Sequence, residues 1–130
     1  MNRTLEELVT AKHRVELLIE SIRHELKIYE RMIFDGVDKE DRFYYSSLML
    51  YVVYLNEHLM SGSMPEFVYD EYPHPVWSAL ADVTEKLRHE YKHIDLILLY
   101  NLIENHLSKD LVFFEQVEED LSRRINALDL

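Results

Sequence analysis

The sequence predicts an all-α protein, a bundle of four or five helices running up and down. Three observations predict it. The 130 residues hold only two glycines and three prolines, so little interrupts regular structure. Apolar residues recur at intervals of three and four over long stretches. Leucine, glutamate and tyrosine are frequent, and the aromatics fall at helix-like spacings. The length suits one domain, residues 1–130, large enough to bury a core without staples.

Thr4-Leu5-Glu6-Glu7 has the pattern of a capping box and starts the first helix. From there Leu5, Leu8, Val15, Leu18, Ile19, Ile22, Leu26, Tyr29 and Ile33 form one apolar stripe. Glu16, Glu20, Glu25 and Glu30 read as its solvated face. Gly36 ends the helix. The second helix starts at Asp38 or Asp41 and ends at Ser61-Gly62-Ser63. Phe43, Tyr44, Leu48, Tyr51, Val52, Leu55 and Leu59 face inward, and Tyr45, Met49, Val53 and Tyr54 widen that face. So broad an apolar surface suits a central helix or a dimer seam, with Tyr44, Tyr51 and Tyr54 against a second subunit.

Residues 64–75 hold all three prolines and form the one clear loop, with room for a short helical turn. Pro75 suits the first turn of a third helix. Its stripe is Val76, Leu80, Val83, Leu87 and Tyr91, with Trp77 as a core anchor. Unbroken to Leu128, that helix would be about 75 Å long, too long for a compact domain. A break is expected near Lys92–Leu96 or near Ser108–Asp110. Leu111, Phe114, Val117, Leu121 and Ile125 line the closing helix, whose Glu115–Asp120 segment reads as a solvated face or as a docking surface for a basic partner.

Composition limits the function. There are no cysteines, which removes disulfides and thiol chemistry and suits a cytoplasmic protein. No apolar leader follows Met1, so no signal peptide is expected. The apolar run from Ile94 to Ile103 is too short to span a bilayer, and no membrane association is expected. A net charge of −11 argues against extended nonspecific binding to a phosphate backbone.

The segment Arg88-His89-Glu90-Tyr91-Lys92-His93 carries the main chemical candidates. Phosphodiester transfer needs a group that titrates near neutrality and a fixed cation, and histidine and arginine supply them. This segment resembles the Arg-x4-His motif of the HEPN superfamily, small helical bundles that include toxin ribonucleases. The helical layout is most similar to the HepT-like branch. The resemblance implies a metal-independent RNA endonuclease, or an inactive relative, in a toxin–antitoxin or defence setting. It implies a homodimer whose site takes one motif from each subunit. His93 would then be the general acid or base, Arg88 the cation at the scissile phosphate, and His89 an orienting group. That branch usually carries a tyrosine two residues beyond the histidine, with a glycine beside it. Asp95 and Ile94 stand at those positions here.

Two other readings compete. His89 and His93 share a helix face, Glu90 and His93 form Glu-x-x-His, and His106 and Asp110 are four apart. With His13, His24 and His58 on earlier helices, these resemble the ligand pattern of hemerythrin- or ferritin-like bundles. Only twelve residues separate His93 from His106, too few for two ligand helices, so no metal or cofactor is assigned. The last reading is a noncatalytic interaction protein that binds a protein partner through Tyr51, Tyr54 or Glu118.

Overall fold

A computed structural model describes residues 3–60, 64–89 and 96–128, apart from some side chains of the second and fourth helices. The described residues are all helical or loop, with no strand. Helix α1 spans Leu5–Phe34, α2 Arg42–Met60, α3 Phe67–Glu71, α4 Val76–His89, α5 Leu96–Leu102 and α6 Ser108–Leu128. A π-helical turn, Ile103–Leu107, joins α5 to α6.

Local chemistry sets the helix ends. The Glu7 amide donates to Thr4 Oγ1 at 3.2 Å, and the Thr4 amide donates to Glu7 Oε1 at 3.3 Å, completing the capping box. At the other end of α1, Gly36 has φ +65°, where a side chain would be strained. That geometry lets the Val37 amide reach the Met32 carbonyl and the Gly36 amide reach the Ile33 carbonyl, each at 3.1 Å, a Schellman closure. Asp41, of the two proposed starts, caps α2 by accepting from the Phe43 amide at 3.0 Å. The proline loop contains the short helix α3, which buries Phe67 and Val68. Helix α4 begins at Val76, whose amide donates to His74 Nδ1 at 3.0 Å.

Helix α1 packs against α2 on one side and α6 on the other, while α4 lies against α2. Arg23 pairs with Glu115 and Tyr29 with Glu104, so α1 and the Leu96–Leu128 run are antiparallel. The core comprises Leu8, Val15, Leu18 and Ile22 of α1, Leu48, Val52 and Leu55 of α2, and Leu99, Ile103, Leu107, Phe114 and Leu121 of the last run. Trp77 is half-buried and anchors this core as expected. Its ring meets Phe114 at 5.4 Å and Tyr69 at 5.1 Å, both edge-on. The Trp77 Nε1 donates to the Tyr72 carbonyl at 2.8 Å.

Several expectations are corrected. The chain stays helical from Leu96 to Leu128, so there is no break at Ser108–Asp110. The π turn at Ile103–Leu107, just before it, absorbs one extra residue while the chain stays helical. The alternative break, near Lys92–Leu96, falls mostly outside the described residues. At the end of α1, Met32 is the buried residue and Ile33 is 50% exposed, because the buried seam repeats every seven residues (Ala11, Leu18, Glu25, Met32) and Ile33 falls one position beyond it. Leu5 is exposed at the opposite end of that stripe. Phe43 is 74% exposed, not inward, since it lies in the first turn of α2 on the side away from Leu48. Glu25 is 1% exposed, not solvated. Its position, three after Ile22 and seven after Leu18, places it on the apolar stripe. Of the tyrosines expected at a seam, Tyr54 is exposed and Tyr44 half-buried against the core. The side chains of Tyr51, Leu59, Leu80, Val83 and Leu87 lie outside the described residues.

Candidate functional site

The sequence places the chemical candidates between α4 and α5. Arg88 and His89 are the last two residues of α4, and their side chains lie outside the described residues. His93, Ile94 and Asp95 lie outside the described residues altogether. The described residues on either side of this segment belong to α4 before it and to α5 after it.

On the α5 side, four residues from three parts of the chain converge. Tyr29 of α1 donates its hydroxyl to Glu104, which also accepts from Lys39 Nζ at 2.8 Å. The same ammonium lies 5.3 Å from the Tyr100 ring centroid and 5.9 Å from that of Tyr29. The buried Tyr100 donates its hydroxyl to the Lys39 carbonyl at 2.7 Å. The Lys39 hydrogen bond, seconded by that of Tyr29, holds the Glu104 carboxyl below its usual range. The Glu104 hydrogen bond raises the Lys39 ammonium, and burial raises both tyrosines. This set clamps the start of the long final helical run to the α1–α2 turn. Sequence reading missed it, because it joins residues up to 75 positions apart and no local pattern announces it.

On the α4 side, the proline loop is tied to α6. The His74 ring stacks on Phe113 with centroids 4.1 Å apart. Tyr72 donates to Asp120 and accepts from Arg124 at 2.9 Å. Glu71 pairs with Arg124 at 2.9 Å and with Arg3 at 2.8 Å. Burial pushes the Glu71 carboxyl up, but the hydrogen bonds from Arg3 and Arg124 bring it below its ordinary value. These contacts fix the start of α4, the end of the helix opposite Arg88 and His89.

The other candidates are more scattered. His13, His24 and His106 are exposed, and His58 is half-exposed. Asp110 is half-buried. Burial raises its carboxyl, and the nearby His74 and His106 oppose the rise. Among the described residues, no three His, Asp or Glu side chains are grouped so as to hold a metal ion. The acids of α6 are partly engaged within the fold: Glu115 with Arg23 at 3.1 Å, and Glu119 and Asp120 with Arg123 at 3.2 and 3.3 Å. Among the described residues, no helix is long and apolar enough to cross a membrane.

A family model described as ribonuclease HepT-like matches residues 18–119. The match runs from the middle of α1 to the middle of α6 and spans the whole Arg88–His93 segment. No curated protein and no solved structure matches the chain.

Proposed function

The chain belongs to the HepT-like family, and from that membership we propose that it is a metal-independent RNA endonuclease acting as a homodimer. The observation that carries this reading is the family match across the segment in which Arg88 and His93 stand five positions apart. In this chemistry, neutral His93 takes the proton of a ribose 2′-hydroxyl. The oxygen attacks the adjacent phosphorus, and the bond to the 5′-oxygen of the next nucleotide breaks. The leaving oxygen receives a proton, and a 2′,3′-cyclic phosphate remains. Arg88 neutralises the charge that builds on the phosphoryl oxygens in the transition state. His89 orients one of these groups. Two copies of the motif facing each other across a two-fold axis supply both an acid and a base.

Dimerisation has its own support. Leu50 and Tyr54 are exposed on one face of α2, four residues apart, and suit burial against a second copy. A cysteine-free chain of this family suits the cytoplasm and a toxin–antitoxin or defence role. The second reading, an inactive relative that only binds a partner, is favoured by Asp95 and Ile94, which replace the branch's usual tyrosine and glycine.

The test is cleavage of transfer RNA and of unstructured RNA by purified protein. Arg88→Ala and His93→Ala should each lower the rate by roughly 10²–10⁴-fold while circular dichroism stays unchanged. Wild-type protein that leaves every RNA intact favours the inactive relative.

A further inference from the structure

One face of α1 departs from the charge of the rest of the chain. Twenty-five acids oppose fourteen lysines and arginines overall, yet a groove between α1 and the start of α2 has no carboxylate in its lining. It encloses about 390 Å³ and is lined by His24, Lys27, Ile28 and Arg31 of α1 and by Phe43, Tyr44 and Ser47 of α2. That volume lies in the range of small-ligand sites, roughly 300–1,000 Å³. A second depression shares His24 and Lys27 and is lined also by Glu20, Ser21 and Arg23; there the carboxylate of Glu20 and the pairing of Arg23 with Glu115 at 3.1 Å end the cationic row.

The groove has two chemically distinct sides. Lys27 and Arg31 are one helical turn apart, so their charges stand on one line. Arg31 Nε is engaged by Asp35 at 3.2 Å, outside the groove lining, and Lys27 has no ion-pair partner among the described residues. Across from them are the aromatic rings. Phe43 is 74% exposed, and Tyr44 meets it edge-on with centroids 5.5 Å apart. The Phe43 ring thus offers an open aromatic face beside the cationic row. Cations spaced along a groove with aromatic faces opposite are the parts that bind single-stranded nucleic acid, where phosphates meet the charges and a base stacks on a ring.

We propose that the Lys27–Arg31 and Phe43–Tyr44 groove binds one to two nucleotides of single-stranded RNA, as a holding site separate from the Arg88–His93 segment. The inference rests on the ribonuclease reading for its choice of RNA. An acidic peptide would satisfy the cations but leaves the exposed ring unexplained.

The test is fluorescence anisotropy with a labelled single-stranded oligouridylate over a series of salt concentrations. The proteins are wild type, Lys27→Glu/Arg31→Glu, Phe43→Ala and Arg88→Ala/His93→Ala. The altered groove side chains sit at the surface, so the fold should survive, and circular dichroism checks it. The charge-reversed protein should bind roughly tenfold or more weakly, and its log–log salt slope should fall by roughly 1.4, two phosphate contacts at about 0.7 each. Phe43→Ala should weaken binding by roughly tenfold without changing the slope. The Arg88/His93 variant should keep the binding that the groove supplies, lose at most the one phosphate contact of Arg88 from the salt slope, and fail to cleave. Equal binding by wild type and both groove variants overturns the groove and leaves the cleavage reading standing. Intact groove binding with no cleavage by wild type upholds the groove and sinks the enzyme reading. Groove variants that instead change the subunit mass in sedimentation would show that a second copy fills the groove, and would overturn the proposal.

Discussion

Replacing Glu25 by glutamine should make the protein more stable, by an amount that grows with pH. Both Glu25 carboxylate oxygens are buried and accept no hydrogen bond, in a side chain 1% exposed. Burial lifts its pKa from 4.5 to about 9. The folded protein therefore keeps this carboxyl protonated at pH 7, while the unfolded chain ionises it. Unfolding releases a proton between the two values, so stability falls as pH rises through that window. The contribution is fully retained below about 4.5 and has been lost above about 9. At about 1.4 kcal/mol per pH unit, the loss at pH 7 is about 3 kcal/mol. Glutamine keeps the shape and cannot ionise. The assay is urea unfolding of wild type and Glu25→Gln at pH 5, 7 and 8.5. The difference between them should be below about 1 kcal/mol at pH 5, about 3 at pH 7, and larger at pH 8.5. Taking the difference cancels acid-side effects of Glu71, Glu104 and Asp120, whose lowered carboxyls stabilise above their ordinary range and lose that effect as pH falls. The same difference at all three pH values would mean that Glu25 does not titrate differently in the folded and unfolded protein.

The remaining expectations concern the frame. Gly36→Ala meets no atom within 4 Å but must hold φ +65°, so thermal unfolding should show a loss of about 1 kcal/mol from backbone strain alone. A larger loss would mean a contact at that turn. Tyr100→Phe removes the hydroxyl that donates to the Lys39 carbonyl at 2.7 Å. Denaturant unfolding should register a loss of about 1–2 kcal/mol. An unchanged midpoint would mean that the clamp between α5 and the α1–α2 turn does not hold the fold.

What was legible in the sequence was local. Thr4 with Glu7, Gly36 and Asp41 announce helix ends because a cap is satisfied by residues two or three positions away. The all-helical class followed from the apolar spacing, which needs no knowledge of neighbours. Which residue of a stripe is buried depends on what packs there. Hence Met32 displaced Ile33, Phe43 turned outward, and Glu25 proved buried although its spacing already placed it on the stripe. The π turn at Ile103–Leu107 carries no glycine or proline, so nothing marked it. The clamp of Tyr29, Lys39, Tyr100 and Glu104 exists only once the helices pack. Arg88 and His93 stand out in the sequence by residue type and spacing alone, and the described residues include neither His93 nor the Arg88 side chain. The family match covers the same segment. The groove at Lys27 and Phe43 was not legible, since its two sides belong to different helices.

The central claim, that this chain cuts RNA through a 2′-hydroxyl with Arg88 and His93, is tested most directly by product analysis. Wild-type protein is incubated in chelator with an RNA it cleaves and with the same RNA carrying 2′-deoxyribose at the cleaved position. The first should be cleaved, with a 2′,3′-cyclic phosphate and a 5′-hydroxyl at the new ends, and the second should stay intact. Cleavage of the deoxy substrate at that position, products with a 5′-phosphate, or no cleavage of any RNA would contradict it.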